Sequence, residues 1–356
     1  MSATASAAPT PARVNRRWRL PAIVLVVLAV YYVVLWQALR IHDPINEAAA
    51  SGVALQQTVN ALSIGSIYAL IALGYTMVYG IIELINFAHG DVFMVGAFLS
   101  IVFLGGILGQ HGPVESLPLL IALILGALAF TMPLTGLLNL SIERIFYRPL
   151  RYAPRVAPLI TAIGVSFILQ NIALLVAGSG DRGAPQIFPL SWQVRIAGAA
   201  IPILSFVILA LSLSLMFVLQ LFVGRTRLGR AMRSTAQDAQ ASRLMGVDVN
   251  QTIALTFLLG GALAGAAGVI WGLNFGYVRQ DLGFNAGLKA FTSAVLGGIG
   301  NITGAVLGGF FIGFVENFSS SLGFARWAEL LVFVVLTLVL VFRPAGILGQ
   351  QIGERA

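Results

Sequence analysis

The chain of 356 residues contains no cysteine, which excludes disulfides, thiolate metal sites and cysteine nucleophiles. Histidine is almost as scarce. His42, His89 and His111 stand far apart and no HExxH pair occurs, so a histidine-based metal site is not expected. The single lysine, Lys289, sits in GLKAFT, which is not the GxxxxGK[ST] loop that cradles nucleotide phosphates, so the chain has no ATP-hydrolysing machinery of its own. Charge is sparse as well: 10% of the residues are charged against 58% apolar, with a mean hydropathy of +0.92. A soluble fold of this length needs no such apolar excess, and the composition defines an all-α polytopic membrane protein. The formal charge of +8 is confined to loops between apolar runs and is no footprint for nucleic acid.

What the sequence does have is a succession of apolar runs. Residues 1–19 form an Ala/Ser/Thr/Pro segment ending in Arg13, Arg16, Arg17 and Arg19, read as a disordered basic tail. An apolar run over 20–36 follows, and with no A-x-A site closing it directly it reads as an extra, uncleaved N-terminal transmembrane helix. The next span, from residue 53, is unusually polar in its first half, with Gln56, Gln57, Asn60, Ser63 and Ser66. Polar groups at that depth must face protein or water, which places this helix inside the bundle. Asn60, Ser63 and Ser66 recur at a spacing of three and form one polar stripe, a candidate solute path or a strip of interhelical glue.

Glu83, Asn86, His89 and Asp91 cluster before the third span, 92–108, where Asp91 reads as a carboxylate facing the free N–H groups of a helix start. Further spans fall at 117–142, where Pro133 predicts a kink, and at 156–177 and 201–223. The span at 252–273 has Gly261 and Gly265 spaced for close helix packing. Two more follow at 302–318 and 330–342. Between 272 and 300 parity demands a crossing, yet the run is too short, so a broken crossing is expected, with a half-helix over 287–296. The total is about eight to nine transmembrane helices plus this half-spanning element near 287–300. With both termini cytoplasmic, sixteen basic residues fall inside, Lys289 counted among them, and five outside: Arg40, Arg182, Arg195, Arg279 and Arg326.

The polar island at 224–250 holds Arg225, Arg227, Arg230, Arg233 and Arg243 against Asp238 and Asp248. It contains no proline between Gly229 and Gly246, and its pattern suits a helix with an apolar stripe of Leu228, Met232, Ala236 and Ala239. Arg230, Arg233, Gln237 and Gln240 fall on another face. Such a loop is a solvated linker or a docking surface. Gln240-Ala241-Ser242, three residues and then Gly246 resembles the EAA-x-x-x-G signature of ABC importer permeases, with Gln240 in place of the glutamate and Ser242 in place of the second alanine.

Several collinear stretches carry a wider resemblance over 53–349: NALSIGSIYALIALGYTMVYGII, INFAHGDVFMVGA, IERIFYRPLRYAPRVAPLITAIGVSFILQN, KAFTSAVLGGIGNITGAVLGG and FRPAGILG. Together they resemble the LivH-type permeases of branched-chain amino acid ABC importers; the N-terminal span is not part of the usual pattern. The resemblance implies a bacterial inner-membrane importer in which this chain pairs with a second, LivM-like permease. Two ATPase subunits, which bind ATP and Mg, would dock on Arg230, Arg233, Gln240, Ala241, Ser242 and Gly246, and a periplasmic binding protein would deliver Leu, Ile, Val or a related solute. No cofactor is implied for this chain itself.

Three alternatives are weaker. A secondary transporter needs intramembrane carboxylates, and the only acidic residue expected well inside a span is Glu316. An intramembrane enzyme lacks any Ser/His/Asp or metal constellation. Within the importer class, a permease for urea, amides or other amino acids is the runner-up. The path is expected to offer Asn, Ser, Thr and Tyr groups among Leu and Ile, with no paired charges.

Overall fold

Small side chains on the long polar span decide what lies at the centre. In a computed structural model describing residues 29–38, 47–151, 153–154, 156–196, 198–343 and 345–349, that span is helix α2 (Glu47–Ile82), preceded by α1 (Ala29–Ala38). The tail at 1–19 and the first part of the 20–36 span lie outside the described residues. The most apolar window of α2 is 89% buried, the highest share of any span, as its polar first half predicts. Its main neighbour is α11 (Ile302–Ser321). The two backbones nearly touch: a methyl group added at Gly309 would stand 2.5 Å from the Ala69 Cα, and one at Gly65 2.8 Å from the Phe310 Cα. In lipid no hydrophobic force drives helices together, so close backbone approach and dispersion carry the association.

The other elements wrap this pair. Helix α3 (Ala88–Ile101) ends in a π-helical turn, Val102–Ile107, and α4 (Leu117–Ile142) continues into a second, Glu143–Tyr147. Helix α4 runs through Pro133 as one element. Helices α5 (Val156–Ala177) and α6 (Ile203–Arg225) follow, then the short α7 (Arg227–Gln237) and α8 (Ala239–Leu244). Helix α9 (Val249–Phe275) packs on α3 and α4 through the glycines the sequence singles out. A methyl at Gly261 would stand 2.6 Å from the Thr135 carbonyl oxygen, and one at Gly96 of α3 2.7 Å from the Gly265 Cα. Helices α10 (Leu282–Gly297) and α12 (Ala328–Phe342) complete the set. Eight helices among the described residues are long and apolar enough to span a membrane. The outer ones are barely covered, with 28% of the window buried in α5 and α6 and 11% in the last span, which leaves their Leu, Ile, Val and Phe side chains as a lipid-facing surface.

Two short antiparallel ribbons cover one end of the bundle. Strand β1 (Arg182–Gly183) pairs with β4 (Tyr277–Val278), and β2 (Gln193–Ile196) pairs with β3 (Ala199–Pro202).

Helix α10 is the short element between 272 and 300, and it begins five residues earlier than the sequence suggests, at Leu282. Gly298 (φ 103°) and Gly300 (φ 90°) end it in a backbone conformation that only glycine adopts cheaply. The carbonyls left open at that end are closed by the C-terminal FRPAGILG segment: the Ile347 and Leu348 amides donate to Leu296 and Gly297, at 2.8 and 3.1 Å. The Asn301 side-chain amide donates to the Leu348 carbonyl at 2.9 Å, while its oxygen caps α11.

Asp91 departs from its expected role. The start of α3 has no side-chain cap, and Asp91 is fully buried, accepting a hydrogen bond from Ser166 of α5. Helix α10 comes close beside it: a methyl group at Gly283 would stand 2.5 Å from an Asp91 carboxylate oxygen. Glu143 is also buried, paired with Arg151, so Glu316 is not the one acidic side chain enclosed by the bundle.

Because the α2–α11 contact is backbone against backbone, Gly309→Leu should abolish a monodisperse folded species in detergent, read by fluorescence size-exclusion chromatography. Gly164→Leu, at an α5 position with open space around it, should leave the profile unchanged.

Candidate functional site

Two regions at opposite ends of the bundle carry the candidate chemistry. The first is the arginine-rich loop. It is two helices rather than one, because Asp238 leaves helical geometry and its carboxylate accepts from the Gln240 and Ala241 amides, both at 2.9 Å, capping α8. Asp and Asn compete well for such caps, and a break there costs less than an uncapped turn. Thr226 caps α7 through the Gly229 amide at 3.0 Å, and Asp248 caps α9 through Gln251 at 3.0 Å. The expected apolar stripe is therefore cut: Met232 is buried and Ala236 lines a cavity of about 80 Å³ with Thr76, Met77 and Gly300, while Ala239 lies past the break.

The named docking residues divide. Arg230 projects outward, whereas Arg233 is turned back to donate to the Val223 carbonyl at the end of α6. Gln240 and Ala241 are exposed, Ser242 is buried beneath them, and Gly246 holds a positive φ of 84° at the exit turn with nothing near it. Sequence reasoning missed the neighbouring pair Leu244 and Met245, which are 89% and 84% exposed. The signal was present: two large apolar residues in succession inside a polar island.

The loop is braced from below. Arg151 pairs with Glu143 and donates to the Asn250 side chain at 2.7 Å, tying the 143–151 segment to the start of α9. Asn86, between α2 and α3, donates to Asn139 at 3.3 Å and accepts from Tyr147 at 3.0 Å, and Asn139 donates to the Phe257 carbonyl at 2.6 Å. Non-helical backbone inside a bundle is tolerated when its polar groups are satisfied this way.

The second region lies at the ribbon-covered end. Two clefts, of about 350 and about 400 Å³, share Ile64, Phe275 and Asn317 as a common wall. Both volumes fall in the range of ligand sites, roughly 300–1,000 Å³. The first cleft has Asn60, Ser63, Gln186 and Asn274 among apolar Phe188, Trp192 and Leu204. Of the polar stripe, Asn60 and Ser63 line this cleft, though Ser63 is buried and donates to the Val59 carbonyl at 3.1 Å, while Ser66 lines neither cleft, is fully buried and donates to the Ser63 carbonyl at 2.7 Å. The drift of a 3.6-residue helix over six residues turns Ser66 away.

The second cleft, unlike the first, holds paired charges. Lys289 of α10 donates to Glu316 of α11 at 2.7 Å, and the other Glu316 oxygen accepts from Tyr68 of α2 at 2.6 Å. Lys289 therefore lies within the bundle, on the wall of the second cleft. At the mouth, Arg279 pairs with Asp281 and lies 3.7 Å from Asp181. Hydrogen bonding from Arg279 holds the Asp281 carboxyl below the usual carboxylate range, so it stays ionised near neutrality. No group of three or more metal-ligating side chains occurs among the described residues.

A multi-pass helical bundle with a polar two-helix loop at one end and solute-sized clefts at the other has the layout of a membrane transport subunit. The chain belongs to the family described as the branched-chain amino acid transport system / permease component, whose model matches residues 57–340. It is 44% identical over 304 residues to the high-affinity branched-chain amino acid transport system permease protein BraD of Pseudomonas aeruginosa, covering 85% of this chain and 97% of that protein. It is 42% identical over 304 residues to LivH of the same description from Escherichia coli K12, with the same coverage. A more distant relative is the autoinducer 2 import system permease protein LsrD of Escherichia coli O9:H4, 27% identical over 263 residues, or 70% of this chain and 74% of that one. No solved structure matches the chain.

Cysteine introduced at Asn60, the part-exposed member of the stripe that lines the first cleft, should react with small water-soluble thiol reagents in this cysteine-free chain. Cysteine at Ser63 or Ser66, both buried and backbone-bonded, should react at least about tenfold more slowly; equal rates at all three would contradict this geometry.

Proposed function

We propose that this chain is the membrane-spanning subunit of an ABC importer for aliphatic, branched-chain amino acids. It sits in a bacterial inner membrane with the α7–α8 loop and both termini on the cytoplasmic side. The observation that carries the reading is α7–α8 itself. The loop is capped at both starts, braced by Arg151, and presents Gln240, Ala241, Leu244 and Met245 outward, in a chain with no phosphate-binding loop. An exposed apolar tip on a rigid polar base is a docking surface for a protein partner. Two ATPase subunits, holding ATP and Mg, are the partners this tip serves, and a LivM-like permease covers part of the apolar outer surface. A periplasmic binding protein delivers the solute to the clefts at the other end. The substrate class is supported by the relatives, whose names state branched-chain amino acid transport over nearly their whole length.

Binding-protein-dependent leucine uptake in proteoliposomes, abolished when the ATPase subunits are omitted, tests the importer reading. Uptake that persists without them would identify a secondary carrier. A thermal-shift screen of the cognate binding protein tests the substrate: Leu, Ile and Val should stabilise it, and a response to urea or short amides alone would reassign the solute. Ala241→Glu and Gly246→Leu should leave insertion intact but lower uptake at least about tenfold at retained ATP hydrolysis. Leu244→Ser with Met245→Ser should reduce co-purification of the ATPase subunits; wild-type coupling in all of these would remove α8 from the docking surface.

A further inference from the structure

The Lys289–Glu316 pair is not explained by helix packing. Helices α2, α10 and α11 are already held by glycine contacts that bring backbones together: Gly65 and Gly309 join α2 to α11, and Gly297, Gly304 and Gly308 join α10 to α11. Tyr68 stands near the middle of the 36-residue α2, so the pair it touches lies within the bundle rather than at its end. Charges held there are costly and mark the routes of solutes and ions. The pair also remains open to the cleft of about 400 Å³, with the Lys289 and Glu316 side chains 13% and 20% exposed. Lys289 has a second carboxylate at 3.9 Å, Glu329, and its ammonium lies 6.0 Å from the centre of the Tyr68 ring.

We propose that Lys289 and Glu316 form a headgroup station for a zwitterionic amino acid on the transport path, a proposal that rests on the importer reading above. The α-carboxylate of the solute takes the place of Glu316 at the Lys289 ammonium, and its α-ammonium takes the place of Lys289 at the Glu316 carboxylate. Each charge exchanges one partner for another, so opening the pair leaves no buried charge uncompensated. Asn285, Asn317 and Ser320 supply the remaining hydrogen-bonding groups of the cleft, and the shared wall of Ile64 and Phe275 receives the aliphatic side chain. A neutral solute such as urea would have to break the ion pair without supplying either charge. The station therefore selects the backbone of an amino acid and leaves discrimination among aliphatic side chains to the binding protein.

The test uses the complete importer in proteoliposomes with its binding protein and radiolabelled leucine. Lys289→Met and Glu316→Gln should each lower uptake at least about tenfold, and the double variant should be as inactive as either single one. A merely structural pair behaves differently, because removing both charges spares the cost of leaving one buried and alone. Wild-type uptake by the double variant, with the wild-type complex active, would overturn this proposal alone. A wild-type complex that imports urea and not leucine would overturn both it and the substrate assignment. If the double variant does not assemble, Lys289→Cys decides. Treatment with 2-aminoethyl methanethiosulfonate, which rebuilds an ammonium, should restore uptake while the neutral methyl reagent should not, and excess leucine should slow the modification. Equal effects of the two reagents would overturn the proposal.

Discussion

The contact on which the rest of this structure depends is backbone against backbone: α2 lying on α11 with Gly65, Ala69, Gly309 and Phe310 at the crossing. Inside a bilayer, apolar side chains gain nothing by leaving lipid for protein, so helices associate where small residues let many atoms approach at once. That condition explains why the central helix of a membrane protein is among its more polar ones. Ser63 and Ser66 return their hydroxyls to the carbonyls of Val59 and Ser63, and so occupy little more room than alanine while remaining satisfied. The same rule repeats at the α3–α9 and α4–α9 crossings, with Gly96, Gly261 and Gly265 in the corresponding places.

Much of this was legible in the sequence, for reasons that can be named. Spans declare themselves by length and apolarity, and the burial of α2 follows from the cost of placing Asn60 and its neighbours against lipid. The breakers Gly298 and Gly300 mark the end of α10 because a positive φ is nearly a glycine property. What the sequence hides is tertiary. Nothing near Lys289 predicts that its partner is Glu316, 27 residues away on another helix. Asp91 sits where a helix-start carboxylate belongs, yet Ser166, 75 residues on, claims it. Asp238 is a different case. Its capping power is a local property, and a uniform helical pattern on either side masked it.

The two candidate regions differ in kind, and that difference fits a division of labour. The arginine-rich loop is organised by local caps at Thr226, Asp238 and Asp248, so its shape is set by its own residues and survives changes elsewhere in the bundle. The clefts are built from α2, α9, α10 and α11 together, so their shape changes whenever those helices shift. A locally capped loop at one end and a chamber shared by several helices at the other suit the importer proposed above.

Helix α9 connects the two. It starts at the Asp248 cap beside the Arg151 brace and ends at Phe275 in the wall common to both clefts, an unbroken rod of 27 residues. Its glycine contacts with α3 and α4 fall near its midpoint, where a fulcrum for any tilt of the helix would lie. A rod pivoted at its centre reverses direction between its ends. Any push that closes the arginine-rich end around Val249 would swing Phe275 outward by a similar distance, so a single stiff helix would widen one end of the bundle as it narrows the other.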